Sequence, residues 1–132
     1  MNFYLDTNIC IEYLKAPSEI LIKNFQHYST ERIKIPAIVK HELVYGAQKS
    51  KSPRVKNVVE EFLSTFEIVP FCGKSADMCA VIRHELESSG HSIGLLDTMI
   101  ASIVLVNRGT LITNNTKEFI RVSDLKIQDW MQ

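Results

Sequence analysis

The 132-residue sequence has no C-x-x-C pair: its cysteines are Cys10, Cys72 and Cys79, odd in number and far apart. That argues against both a disulfide framework and a structural zinc site, and the three read as buried thiols of a reducing compartment. No apolar run reaches the ~18 residues that a membrane helix requires. The N-terminus runs directly into an apolar stretch broken by Asp6 and Glu12, without the basic start and small-residue cleavage site of a signal peptide. A cytoplasmic protein is expected. Neither sign of charge prevails, since 15 Lys+Arg face 15 Asp+Glu, so no global positive field announces a nucleic-acid ligand. Internal repeats, linkers and low-complexity segments are also missing. What remains, 45% hydrophobic and 23% charged residues, is the composition of an ordinary globular protein, and the length suits one domain, residues 1–132.

Phe3-Tyr4-Leu5 is a short apolar run ending at Asp6, as in a buried strand whose end emerges at a sheet edge. A helix is expected from Asn8. Pro17 and Ser18 open a second, with Leu21, Phe25 and Tyr28 on one face. Ile33-Lys34-Ile35 alternates as a second strand, and Pro36 suits the first turn of a helix running to Lys49. Ser52-Pro53 predicts another helix start, after which Val55, Val58, Val59, Phe62, Leu63 and Phe66 keep the 3.6-residue period. Glu67 to Phe71 reads as a third strand closed by Gly73, and Ser75 to Ser88 as a helix stopped by Gly90. From Leu95 to Val106 the chain is apolar nearly all round, the mark of a central buried helix. Leu111-Ile112-Thr113 gives a fourth strand, Lys117-Glu118-Phe119 a helical turn, and Leu125-Lys126-Ile127 an edge strand. Strands alternating with helices imply a mainly parallel sheet of four to five strands between two helical layers, an α/β/α sandwich. In such a sheet ligands collect beyond the carboxyl ends of the strands, where Asp6 and Asn115 fall.

Three acids occupy positions where apolar residues would be expected: Asp6 after the first strand, Glu42 on the core stripe with Ile38 and Val39, and Asp97 three and four residues before Ile100 and Ala101. Each has a plain reading. Asp97 suits a helix first turn, Asp6 a turn, and only Glu42, in mid-helix, is hard to place unpaired. Convergence of all three would require a cation, and hard divalent ions prefer oxygen ligands, which points to Mg²⁺, with Mn²⁺ as substitute. His27, His41, His84 and His91 are scattered without ligand spacing and read as ordinary residues. Such an ion could polarise a phosphodiester oxygen and lower the pKa of an attacking water. Thr7 and Thr113 could orient ligands through their hydroxyls and Asn115 through its carbonyl, although each also serves as a turn or cap residue. Lys49, Lys51, Arg54 and Lys56 form a local basic patch that reads either as a solvated helix start or as a phosphate contact.

The segments FYLDTNICIEYLK, IPAIVKHELVYGAQKS, IGLLDTMIAS and LITNNTKEF, followed by DW, occur in this order along nearly the whole chain. In them the sequence resembles the PIN-domain toxins of VapBC toxin–antitoxin modules. The resemblance implies a PIN fold and a metal-dependent endoribonuclease whose metal-binding acids are Asp6, Glu42 and Asp97, with a fourth polar position at Asn115. Relatives often carry Asp there; Asn leaves three negative charges and weakens the case for a second tightly held ion. Leu95 and Leu96 also replace a frequent Pro and polar residue, a change expected at the rim of the site. The resemblance further implies a VapB-type antitoxin that inserts a segment into the active cleft, a homodimer, and a structured RNA substrate. The wording of DTNIC and TNNTKEF is most similar to members that cut the anticodon loop of tRNA, initiator tRNA in particular. Competing readings are a non-catalytic PIN-fold module for RNA or protein, and a metal-dependent DNA nuclease or phosphatase. Asn8, standing where an aspartyl-phosphate enzyme would complete D-x-D, argues against the last.

Overall fold

A computed structural model describes all 132 residues. Five strands alternate with seven helices. In chain order these are β1 (Phe3–Leu5), α1 (Thr7–Lys15), α2 (Glu19–His27), β2 (Ile33–Pro36), α3 (Ala37–Ser50), α4 (Pro53–Ser64), β3 (Glu67–Val69), α5 (Gly73–Ser88), α6 (Leu95–Val106), β4 (Thr110–Ile112), α7 (Thr116–Phe119) and β5 (Lys126–Gln128). The sheet order is β3-β2-β1-β4-β5 and every pairing is parallel. The chain first builds from β1 towards β3 and then crosses to add β4 and β5 on the other side. That reversal puts the switch point between β1 and β4, where the loops beyond the strand ends diverge and leave a crevice.

Local chemistry accounts for most boundaries. Asp6 caps α1 through its carboxylate, Ser18 caps α2 by accepting from the Leu21 amide, and Ser52 caps α4 ahead of Pro53. Gly90, at φ 73°, ends α5 with its amide on the Glu87 carbonyl and that of His91 on the Leu86 carbonyl. Gly109 is required for a different reason: after Arg108 (φ 56°) the chain passes so close to β1 that a Cβ at this position would run into the Tyr4 ring. One apolar core joins the sheet to both helical layers, with Leu5, Ile35, Leu111 and Ile112 on the strands and Ile100, Ile103 and Val104 on α6.

Several expectations shift. The third strand stops at Val69, and Gly73 opens α5 where the sequence pattern had it closing the strand. Cys72 caps that helix on the surface, so only Cys10 and Cys79 are buried thiols. Pro36 completes β2 and the helix follows it. Val55 and Val58 are exposed because they face a cleft between α4 and α3, and Phe66 lies past the end of α4. Leu95 and Leu96 are exposed at the start of α6, so that helix is buried only from Thr98 onward. All four histidines lie on the surface. No helix is long and apolar enough to cross a membrane.

Candidate active site

The end of β1 delivers Asp6 to the switch point, where β4 lies alongside; the Asp6 amide bonds the Ile112 carbonyl at 2.9 Å. Its side chain is 5% exposed and fully engaged. Oδ1 accepts from the Thr7 amide at 2.9 Å and Oδ2 from the Thr113 hydroxyl at 2.7 Å. The Thr113 oxygen in turn accepts from the Asn115 backbone amide at 2.9 Å, so one hydroxyl both orders the loop after β4 and ties it to the end of β1. Thr7 works in the other direction. Its hydroxyl donates to Glu42 Oε1 at 2.8 Å, linking the first turn of α1 to the second turn of α3 across 35 positions of sequence.

Asp97 stands in the first turn of α6, half-buried, and its environment shows what surrounds it. Its pKa is pushed up to about 6, first by burial, then by the negative charges of Asp6, Glu118 and Glu42, and further by a hydrogen bond with the Glu118 carboxyl. Burial also raises the proton affinity of Asp6; the Thr113 hydroxyl and the Thr7 amide counter the rise, and Glu42 adds to it. Glu42 and Glu118 are both half-buried. Four acids from four segments therefore share one electrostatic neighbourhood.

The fourth of these acids was missed in the sequence. Asn115 does lie at the rim, but its side-chain amide donates to Glu118 Oε2 at 3.1 Å, and it is Glu118 that meets Asp97. The available signal was spacing: α7 begins just after Asn115 and puts position 118 one turn on, on the same face. The negative charge that Asn115 lacks is thus supplied three residues later. Thr7 and Thr113, weighed equally as cap residues or orienting groups, each hold one carboxylate oxygen of the cluster.

The acids are near enough to raise one another's proton affinity, yet no three His, Cys, Asp or Glu side chains are drawn together tightly enough to hold a cation as they stand. Asp6, Glu42 and Glu118 are each held by their own hydrogen bonds, from Thr113 and Thr7, from Thr7, and from Asn115 respectively. No buried side-chain oxygen or nitrogen is left without a hydrogen-bond partner, the Asp6 carboxylate included. Beside Glu42 a cleft of about 580 Å³ opens between α1, α3 and α4, with Leu14, Val55 and Val58 among its apolar walls and Lys15 and Arg54 at its edges.

A family model described as PIN domain matches residues 3–125. The chain belongs to the PIN-domain family. Among its relatives, the tRNA(fMet)-specific endonuclease VapC of Salmonella typhimurium is 37% identical and Ribonuclease VapC2 of Rickettsia felis 36%, each match covering 98% of both chains. Of solved structures, DNA-bound VapBC from Salmonella typhimurium superposes with a TM-score of 0.93 at 37% identity, covering 98% of both chains. VapBC2 from Rickettsia felis, bound to a promoter DNA fragment, gives 0.90 at 36% identity, covering 98% of this chain and 99% of that one. The five-stranded parallel sheet and its helical layers are accordingly those of the PIN fold. PIN-domain ribonucleases generally depend on divalent metal, and the donors here fit such an ion: the side chains of the cluster offer carboxylate and hydroxyl oxygens with no thiol or imidazole, a set that suits a hard cation.

Proposed function

We propose that this PIN domain is a metal-dependent endoribonuclease, the toxin of a two-component toxin–antitoxin module, and that it hydrolyses a phosphodiester bond of tRNA. One observation carries the reading: Asp6, Glu42, Asp97 and Glu118, from four separate segments, converge at the switch point of a parallel sheet, where ligands of such folds bind. Asp6, Asp97 and Glu42 would hold the ion, Mg²⁺ with Mn²⁺ as substitute. When bound, such an ion supplies Lewis acidity towards a phosphoryl oxygen and eases deprotonation of water. The chain's own residues set the geometry. Thr113 fixes the rotamer of Asp6, Thr7 fixes that of Glu42, and Asn115 holds Glu118 against Asp97. Asn115 acts through this contact, and Glu118 completes the ring of acids on the side of α7.

The choice of tRNA, with initiator tRNA as the specific expectation, is supported by the tRNA(fMet)-specific endonucleases of Salmonella typhimurium and Shigella flexneri, 37% and 35% identical over 98% of the chain. A VapB-type antitoxin is supported by related structures that are VapBC complexes, and the cleft beside Glu42 suits an inserted apolar segment with acidic flanks that meet Lys15 and Arg54. We place the protein in the cytoplasm, where tRNA is, as a homodimer of 132-residue single-domain protomers. Retention of Asp6, Glu42 and Asp97 disfavours a scaffold without catalysis. Incubating purified protein with initiator tRNA and Mg²⁺ or Mn²⁺ tests the reading. Cleavage that stops with chelator and with Asp6→Asn is expected; full activity of Asp6→Asn in a clean preparation would overturn it.

A further inference from the structure

The outward face of α3 carries a feature that neither the core nor the acid cluster accounts for. His41, Tyr45 and Lys49 recur at i, i+4 and i+8, all exposed, and Tyr45 is 58% exposed although it sits in mid-helix beside well-packed turns. Their side chains are arranged rather than scattered. The rings of His41 and Tyr45 lie nearly parallel, 18° apart with centroids separated by 6.3 Å, and the Lys49 ammonium stands over the Tyr45 ring at 5.4 Å from its centroid. No acid answers the Lys49 ammonium. The ion pairs of the chain, Lys34–Glu67 and Arg83–Glu87, lie elsewhere, and Glu42 is the sole acidic residue on α3.

Helical geometry joins this ridge to the cluster of acids. Tyr45 lies i+3 from Glu42, one turn on and about 60° around the axis, so the ridge runs alongside the parallel i+4 row that carries Glu42 and Gly46. His41 is the immediate neighbour of Glu42. Gly46 lies in mid-helix, where glycine is less stable than alanine, and nothing stands within 4 Å of where its Cβ would be. Internal packing therefore does not require glycine there, and the bare backbone of Gly46 forms part of the wall of the cleft that Glu42 also lines.

We infer that the His41–Tyr45–Lys49 ridge of α3 seats a single-stranded stretch of RNA beside the scissile bond, a base stacking on the Tyr45–His41 platform while Lys49 meets a phosphate. Parallel aromatic faces with an unpaired cation form a surface complementary to unpaired bases and their anionic backbone, and every base can use it because every base has a π face. This inference rests on the ribonuclease reading and adds to it the positioning of the substrate outside the acids.

The test is binding without catalysis. Fluorescence anisotropy with a labelled, unstructured oligoribonucleotide of about 12 nucleotides, in chelator, compares the full chain with Tyr45→Ala, Tyr45→Phe and Lys49→Gln. Tyr45→Ala should weaken binding by about 5- to 100-fold, the range for loss of one base–aromatic stack. Tyr45→Phe, which keeps the ring, should stay within about twofold, and Lys49→Gln should lower the slope of log affinity against log salt by roughly one contact. In the metal-loaded enzyme Tyr45→Ala should raise KM and change kcat little. Unaltered RNA binding by Tyr45→Ala overturns the inference, as does a Tyr45→Ala variant that binds RNA normally but escapes its antitoxin, which would make the ridge a protein contact. Failure of the wild type to cut RNA with metal strikes the ribonuclease reading instead, and leaves the binding comparison standing.

Discussion

Phe3 opens β1 and Asp6 follows its last residue, three positions and about 10 Å further on, and the two ends are built to opposite purposes. At the amino end Phe3 enters an aromatic cluster: its ring lies 4.4 Å from that of Tyr28 and 5.4 Å from that of Trp130, Tyr28 and Trp130 stack at 12°, and Phe25 meets Trp130 edge-on. The Arg32 guanidinium covers Phe3 and Tyr28 from outside. Every contact there favours folding. At the carboxyl end Asp6 joins a half-buried group of acids that repel one another, and the threonine hydrogen bonds only moderate the cost. Stability concentrated at one end of a strand allows charge to be crowded at the other, and a bound cation would turn that crowding into affinity.

Breaking the acid end should have the largest effect, and it should be of opposite sign on activity and stability. Asp97→Asn removes one repelling charge and one proposed ion ligand: cleavage should fall by about 100-fold or more, while the metal-free protein gains about 1 kcal/mol, seen as a Tm higher by about 4 °C. Steady-state cleavage rates and a thermal melt in chelator check both halves. The aromatic end should behave in the reverse way. Trp130→Ala empties the space between Phe3, Phe25 and Tyr28 and frees the last turn, where the Trp130 carbonyl accepts from Asn24 at 3.0 Å. A loss of about 3–5 kcal/mol is expected in urea unfolding, with the activity of the folded fraction preserved.

Smaller changes sharpen the contrast. Thr113→Val keeps the shape of the buried side chain but leaves Asp6 Oδ2 without its donor; a destabilisation of about 1–3 kcal/mol in chelator is expected, shrinking when Mn²⁺ takes over that oxygen. The mildest probe is pH. Because the Asp97 pKa is raised to about 6 from about 4 in the unfolded chain, the folded state binds this proton more tightly. Its contribution to stability is complete below pH ~4 and disappears as pH rises through about 6. The difference in Tm between wild type and Asp97→Asn should therefore widen over that window in chelator and narrow again when Mn²⁺ is added. A pH-independent difference would show that Asp97 is not coupled to its neighbours.

Much of this arrangement could be read from the chain, because its signals were local. Strand β1 and helices α2, α4 and α6 follow from runs and periods within a dozen residues, and Ser18, Ser52 and Gly90 mark their ends by side-chain and backbone chemistry that needs no distant partner. Asp6, Glu42 and Asp97 stood out because a carboxylate on an apolar stripe conflicts with its surroundings. Glu118 did not stand out: on an exposed-looking helical turn an acid is ordinary, and only the approach of α6 to α7 sets it against Asp97. The same limit applied to Cys72, whose surface position depends on where β3 stops, and to Val55 and Val58, whose period predicted burial against a neighbour that does not cover them.

The sequence by itself determined the elements, the parallel alternation and three of the four acids, since helix period, capping and patterning act over a few residues. Tertiary structure alone decided the strand order with its switch point, the Thr7–Glu42 and Thr113–Asp6 hydrogen bonds across 35 and 107 positions, and the exposure of the Tyr45 ridge. Burial and the field of like charges are properties of what packs around a residue, and that is set only when distant segments meet.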